Sequence, residues 1–345
     1  MNDEKLPELG KIHPDFFDSI IFPHLGKKDK SVLIGPRHGV DYGVIKIENT
    51  CLSFSADPFF IVPAYGFKKA AWFAFHIIMS DVAVSGLLPK YLTVDLNLPP
   101  EMTEAQLSEM WGAVHEEAEK YGVSIITGHT ARYTGCNYPM VGGGTSIAVG
   151  PEADLRGPHR VKQGDKIVIT KGPAVETVGL LAVSFPDRFR KAFGDAFQKE
   201  AEDIFYQMSV MDDCAIARKF KGVRAMHDAT ECGIWGGLYE MARAGDYGLS
   251  VEKNLIVSQD VIMKTCEHFK IDPFTCISEG TLIAIVDPEE ADPLVEEFKK
   301  NGILSSVCGE VAGKDHGVRI DGRPIEHPKI DPYWVIMAEL SREDR

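Results

Sequence analysis

The stretch from residue 70 to residue 88 constrains this chain most. It is the most apolar run in the sequence, yet His76, Ser80 and Asp81 interrupt it. An ionised carboxylate inside a lipid span is costly, so the run is not expected to cross a membrane. Residues 67–85 are too long and too Ala-rich for a strand, which predicts a helix. A helix that is apolar nearly all round is a buried one, so this run is read as a buried helix of a soluble protein.

Shorter elements surround it. Strand-like runs at 31–34, 44–47 and 52–60 are divided by Gly, Asp and Asn turn signals. Leu92, Val94, Leu96 and Leu98 alternate with Thr93, Asp95 and Asn97, the period of a half-buried strand, which Pro99-Pro100 ends. Thr103-Glu-Ala-Gln106 has capping-box spacing, and Leu107, Met110, Trp111, Val114, Ala118 and Tyr121 form one helical stripe up to Gly122. Residues 123–126 predict a short strand entering a turn at Thr127-Gly-His-Thr130, and 140–149 another strand containing Gly142, Gly143 and Gly144. The patch Phe16, Phe17, Ile20, Ile21 and Phe22 reads as a packed helix.

Residues 151–164 are polar and lack periodicity, so they are taken as a junction between domains 1–155 and 156–345. The second half predicts a strand at 166–170, a helix from Val175, and helices at 208–220, 234–244 and 288–300. Strands at 281–286 and 305–311 flank the last of these. Hairpin-like strand pairs mixed with helices predict α+β layers rather than a doubly wound sheet.

Charge narrows the function. Fifty-one acidic against 37 basic side chains give −14. Polyanion binding needs clustered Lys and Arg, so nucleic acid and anionic membrane are not expected partners. An anion is still accessible if a metal ion supplies the positive charge. Seven scattered cysteines without a C-x-x-C pair predict reduced thiols in a cytoplasmic protein, and residues 1–5 show no signal-peptide pattern.

P-loop, G-x-G-x-x-G, H-E-x-x-H and G-x-S-x-G motifs are all absent, and no His and Cys come at zinc-ligand spacing. What remains is a series of Asp residues beside small residues at strand-to-turn positions: Gly39-Val-Asp41, Ser55-Ala-Asp57-Pro58, Ser80-Asp81 and His227-Asp228. Each alone fits a turn or a cap. Together they offer the hard oxygen ligands that Mg²⁺ takes while leaving positions for phosphate oxygens. Gly128, His129 and Thr130 after a strand, and Gly142–Gly144 within one, allow backbone N–H groups to approach a phosphate. Lys171 at a strand end is a candidate phosphate contact. His76 and Trp111 read as core residues, and Cys232 lacks the basic surroundings of a nucleophilic thiol.

In order along the chain, these segments resemble the aminoimidazole-ribonucleotide synthetase (PurM-like) superfamily. Residues 32–45, containing Gly39-Val-Asp41, are similar to its Gly-Glu/Asp-Asp-Ala-Ala-Val segment, and Ser55-Ala-Asp57-Pro58 to its Thr-Asp-Ser/Pro-Phe strand. Ser80-Asp81-Val-Ala-Val-Ser-Gly86 resembles the Asn-Asp-Ile/Val-Ala-x-x-Gly helix, and Thr127-Gly-His-Thr130 the Gly-Gly-Asp/Glu/His-Thr turn. Residues 164–172, 226–238 and 278–281 resemble the opening strand of the second domain, the Asp-x-Thr-x-Gly-Gly segment and the Ser-Ser/Glu-Gly-Thr/Ala strand start.

The resemblance implies an N-terminal α+β domain that pairs with a second subunit into a dimeric, barrel-like β core, followed by a C-terminal α+β domain. It implies ATP and Mg²⁺ between the domains, with Asp41, Asp57, Asp81 and Asp228 as metal ligands and Asp57, Asp81 and His129 as catalytic residues. Gly39, Asp41, Gly128, Thr130, Lys171 and Asp228 are the implied nucleotide contacts. The layout is closest to the hydrogenase-maturation branch. Departures are Val40 for a second acidic residue, Ser80 for Asn, His129 for the Asp of kinases, Cys232 for Gly, and a chain end without that branch's terminal Cys. The expected activity is ATP-dependent phosphorylation of an amide, carbonyl or phosphate oxygen on a small molecule or carrier protein. The alternative is a non-catalytic nucleotide-binding partner that kept the fold.

Overall fold

The computed structural model describes residues 16–343, which form two sheets, one in each half of the chain. Residues 1–5, to which the signal-peptide expectation applies, and the last two residues lie outside the described residues. The first sheet has the order β1-β2-β3-β6-β4-β5, with β1 at Val32–Ile34, β2 at Gly43–Ile47, β3 at Thr50–Phe60, β4 at Pro89–Leu98, β5 at Ser124–Arg132 and β6 at Met140–Gly150. Its pairs are antiparallel except β4 with β5. Both edges are open, so no barrel closes within the described residues.

Helices α1 (Phe67–Ala83) and α2 (Glu104–Tyr121) lie with this sheet. In α1, Ala70, Phe73, Phe75, Ile78, Met79 and Val82 are all buried, as its composition predicted. It packs on β3 and α2 and also reaches the second half of the chain. Thr103 and Gln106 form the capping box of α2, and Gly122 closes it at φ 67°, a left-handed conformation that glycine adopts without a Cβ clash.

The second sheet runs β13-β12-β9-β11-β7-β10-β8, with β7 at Lys166–Thr170, β8 at Val223–Asp228, β9 at Gly248–Val251, β10 at Leu282–Val286, β11 at Ser305–Ala312, β12 at Val318–Ile320 and β13 at Arg323–Pro324. Its helices are α3 (Val175–Ser184), α4 (Pro186–Phe193), α5 (Asp195–Asp203), α6 (Met211–Ala217), α7 (Gly233–Gly245), α8 (Asp260–Phe269), α9 (Pro288–Lys300) and α10 (Pro332–Glu343). Strand β10 is buried on both faces, and its alternation shows why. Leu282, Ala284 and Val286 enter a core shared with the first half, while Ile283 and Ile285 enter a second core beneath α7.

Three expectations are corrected. Thr127-Gly-His-Thr130 is not a turn: it lies inside β5, because β4 pairs in parallel through Leu98↔Arg132 and carries the extended backbone past it. The patch at 16–22 forms a π and a 3₁₀ turn that fully buries none of its side chains, with Phe16 and Phe17 half-buried and Ile20 57% and Phe22 51% exposed. The helix expected at 208–220 is only α6, because residues 208–210 are not helical and the chain turns at 218–220 before entering β8. Residues 151–164 form no strand or α-helix, yet the buried Arg156 guanidinium binds the carbonyls of Asp154, Arg218 and Phe220 and ties the segment down.

Candidate functional site

Four separate segments bring carboxylates to the seam between the two halves. Strand β3 supplies Ser55 and Asp57, two residues apart and therefore on one face. The last turn of α1 supplies Ser80 and Asp81, the β1–β2 loop Asp41, and the end of β8 His227 and Asp228. A single hydroxyl joins the first two segments: Ser55 Oγ lies 2.8 Å from Asp57 Oδ2 and 2.9 Å from Asp81 Oδ2. One O–H donates to one acceptor at a time, so the two carboxylates compete for it.

The site holds more negative charge than it neutralises. Asp228 is fully buried, and neither of its oxygens meets a donor. Burial, with Asp41 beside it, pushes its carboxyl up to about 6. Burial and then the charges of Asp57, Asp228, Asp41 and Glu279 hold Asp81 well above the usual carboxylate range. Glu279, 3% exposed, is raised the same way by burial and by Asp228, and its Oε1 has no hydrogen-bond partner. Buried oxygens left without donors at a cluster of hard ligands fit a divalent cation.

The nearest compensation is His227. Its Nε2–H donates to Glu240 Oε2 at 3.1 Å, and Nδ1 lies 2.5 Å from Asp41 Oδ2. Burial disfavours the imidazolium, but the Asp41 and Glu240 carboxylates outweigh it and raise the histidine well above its ordinary value. Gly39 makes this approach possible. A Cβ there would lie 2.2 Å from the Glu240 carbonyl oxygen, and its φ is +73°.

The expected residues therefore divide. Asp41, Asp57, Asp81 and Asp228 are brought together. Gly128, His129 and Thr130 are exposed on β5, where Gly128 shares a cross-strand row with Val94, Gly144 and Asp57. Three strand spacings, about 14 Å, separate that end of the row from Asp57. His129 Nε2 is 2.8 Å from Tyr133 Oη. The missing side chains of Gly128 and Gly142 accommodate the carbonyls of Val94 and Asp95, so these glycines serve strand packing.

Lys171 is a correction. Its ammonium is 2.8 Å from Asp213 and donates to the Ser209 and Gly280 carbonyls, a buried ion pair that leaves no proton for a phosphate. It lies in the wall of a separate cavity of about 310 Å³ beside Trp72, Tyr121 and Tyr206. His76 is a core residue as expected, fully buried between Ser209 Oγ at 2.7 Å and Glu117 Oε2 at 3.1 Å.

Ser55, His227, Glu240 and Glu279 were not expected in the site. Ser55 was legible as the residue two before Asp57 on a strand, and Glu279 as the acid of a quoted motif. Glu240 carries no signal, since only the packing of α7 brings it there.

Comparison with known proteins identifies the fold and the family. The sequence matches the AIR synthase related protein N-terminal domain over residues 39–149 and the AIR synthase related protein C-terminal domain over residues 162–322. It is 24% identical to carbamoyl dehydratase HypE of Rhizobium leguminosarum bv. viciae, over 81% of this chain and 79% of that one. It is 23% identical to carbamoyl dehydratase HypE of Escherichia coli, over 85% and 87%. Among solved structures, E. coli HypE superposes with TM-score 0.70 at 22% identity, covering 81% of this chain and 87% of that one. A complex of HypE with ATP gives 0.63 at 18% identity, covering 92% and 93%. AaThiL complexed with AMPPCP and TMP gives 0.69 at 17% identity, covering 84% and 90%. The two-domain α+β architecture is thus the PurM-like one, and the chain belongs to the AIR synthase related protein family.

Proposed function

We propose that the chain is a Mg·ATP-dependent enzyme of the HypE-like group. It would activate an amide, carbonyl or phosphate oxygen of a small molecule or carrier protein by phosphorylating it. The observation that carries the reading is Asp228, a buried carboxylate without a donor, facing Asp41 and Asp81 across the seam. The ATP and AMPPCP complexes of similarly folded proteins support it. Asp41, Asp57, Asp81 and Asp228 would hold Mg²⁺, which supplies positive charge against a triphosphate.

The chain's own residues position the reaction. The Ser55 hydroxyl orients Asp57 and Asp81 toward each other. His76, bonded to Ser209, links α1 to the second half and so sets where Asp81 stands relative to Asp228. Gly128, His129 and Thr130 would line the nucleoside end of the same ligand. Phosphorylation turns a poor leaving oxygen into phosphate, and with little covalent chemistry left to the protein, positioning and charge carry the catalysis.

The open first sheet exposes Ile126 (54%) and Met140 (51%), which suits pairing with a second copy into a barrel-like dimer. A HypE–HypF complex is among the similarly folded structures, so a protein partner is part of the proposal. All seven cysteines are free, and among the described residues no helix is long and apolar enough to cross a membrane. Both fit action in the cytoplasm.

His129, engaged by Tyr133 where kinases carry Asp, favours a second reading as a non-catalytic nucleotide-binding partner. Purified protein with Mg·ATP and candidate amides or carboxylates separates the two: ADP release dependent on acceptor supports the enzyme. Nucleotide binding without ADP across all acceptors supports the second reading.

A further inference from the structure

The cavity of about 310 Å³ beside Lys171 lies away from the acid cluster. It opens between the first half of α1, the end of α2 and residues 206–213, and Asp41, Asp57, Asp81 and Asp228 take no part in its wall. Its volume is that of a small-molecule pocket.

Three aromatic side chains build the wall. Trp72 and Tyr121 are half-buried, and Tyr206 is 51% exposed. The buried His76 ring lies 4.2 Å from the Trp72 ring and 5.5 Å from that of Tyr121, so it holds both in place before any ligand arrives. Tyr206 stands edge-on to Trp72 at 5.2 Å.

Charge selects what such a wall can take. Lys171 is spent on Asp213 and on the Ser209 and Gly280 carbonyls. Lys120 pairs with Glu117 at 3.4 Å. An anion would therefore meet no uncommitted ammonium in this wall. Asp212 is the charge left over: it is exposed, and no basic side chain pairs with it among the described residues. Burial, and then the Asp212 charge beside it, hold the Tyr121 phenol above its ordinary value. Aromatic ring faces carry partial negative charge, so a carboxylate among them suits an organic cation. The chain shows the same pairing itself, since Lys120 Nζ lies 4.6 Å from the centroid of the Tyr121 ring.

We propose that this cavity binds a small organic cation, an alkylammonium or guanidinium group on an apolar body, with Asp212 as its counter-charge and Trp72 and Tyr206 as the faces it packs on. The site needs neither metal nor nucleotide, so it stands or falls apart from the Mg·ATP reading.

The experiment titrates the full chain, free of metal and nucleotide, by calorimetry with benzyltrimethylammonium. Phenylacetate, an aromatic ring with the opposite charge, is the control. Expected is one site per chain that takes the cation roughly tenfold tighter than the anion. Asp212→Asn should weaken the cation about tenfold and Tyr206→Ala about fivefold; both side chains are exposed, so neither change endangers the fold. Lys120→Ala removes a competing ammonium and should tighten the cation roughly threefold, a gain that damage to the structure would not produce. Nuclear Overhauser contacts from the N-methyl protons should reach the Trp72 and Tyr206 rings. No heat of binding with the cation, equal affinity for the two probes, or cation affinity unchanged in both Asp212→Asn and Tyr206→Ala overturns the proposal.

Discussion

Replacing Asp81 by Asn should make the ligand-free protein more stable and worse at its task. Asp57 and Asp81 both lie within reach of the Ser55 hydroxyl, so their charges are on the order of 5 Å apart. At an effective dielectric constant near 20 such a pair repels by about 3 kcal/mol. Both residues are only half-buried, which screens the repulsion to about 1–2 kcal/mol. Asn keeps the shape and an acceptor for Ser55 but carries no charge. Unfolding entropy grows by about 2.1 cal/mol/K per residue, so a chain of this length should gain about 1–3 °C in Tm.

The sign with pH follows from the raised Asp81 carboxyl. A carboxyl held above its unfolded value favours folding at low pH, and that stability is lost as pH rises through the folded value. The advantage of Asp81→Asn should therefore be larger at about pH 8.5 than at about pH 5.5. Mg·ATP at 100 times its Kd stabilises a binding protein by about 2.7 kcal/mol, and the variant should keep less than half of that shift. Thermal melts with and without Mg·ATP at both pH values measure all of this. A variant that melts below wild type at the higher pH, or that retains the full Mg·ATP shift, would refute the charge-cluster reasoning.

Other substitutions probe the remaining parts. Asp57→Asn should weaken Mg·ATP binding tenfold or more by calorimetry while the far-ultraviolet dichroism stays native. Lys171→Met leaves the Asp213 carboxylate buried and uncompensated, a loss of about 3–5 kcal/mol in chemical denaturation, and adding Asp213→Asn should recover part of it. His76→Ala removes the partner of Glu117 and Ser209 and should cost about 2–3 kcal/mol. Burial holds His76 below its ordinary value, so the stability it contributes is present above about pH 6.5 and lost as pH falls through the folded value; the acid limb of a melting-temperature profile should flatten in His76→Phe. Gly39→Ala places a Cβ against the Glu240 carbonyl at a left-handed φ and should cost about 1–3 kcal/mol, read by thermal melt.

Much of the fold was legible because its signals are local. The capping box at Thr103 and the all-round burial of α1 follow from spacing and composition, and both are found in place. Helices α4, α5, α8 and α10 had no expectation at all. Helices α4 and α5 are short and divided by Gly194 at φ 89°, so neither stretch is long enough for a period to stand out. Thr127–Thr130 misled because Gly and Thr read as a turn, while pairing with β4, a non-local contact, keeps the chain extended.

The candidate site divides along the same line. Each Asp was visible in the sequence as an acid beside small residues, and the motif order pointed to the family. That much is one-dimensional information, since backbone geometry near a turn is written in its neighbours. Which carboxylates share a hydroxyl, which lack a donor, and that His227 stands between Asp41 and Glu240 all depend on residues up to about 200 positions apart, among them Asp41 with His227 and Asp81 with Asp228. Charge repulsion and desolvation act through space, so only the packing of α1 and α7 against the two sheets decided that these acids form one cluster and that Lys171 stands outside it.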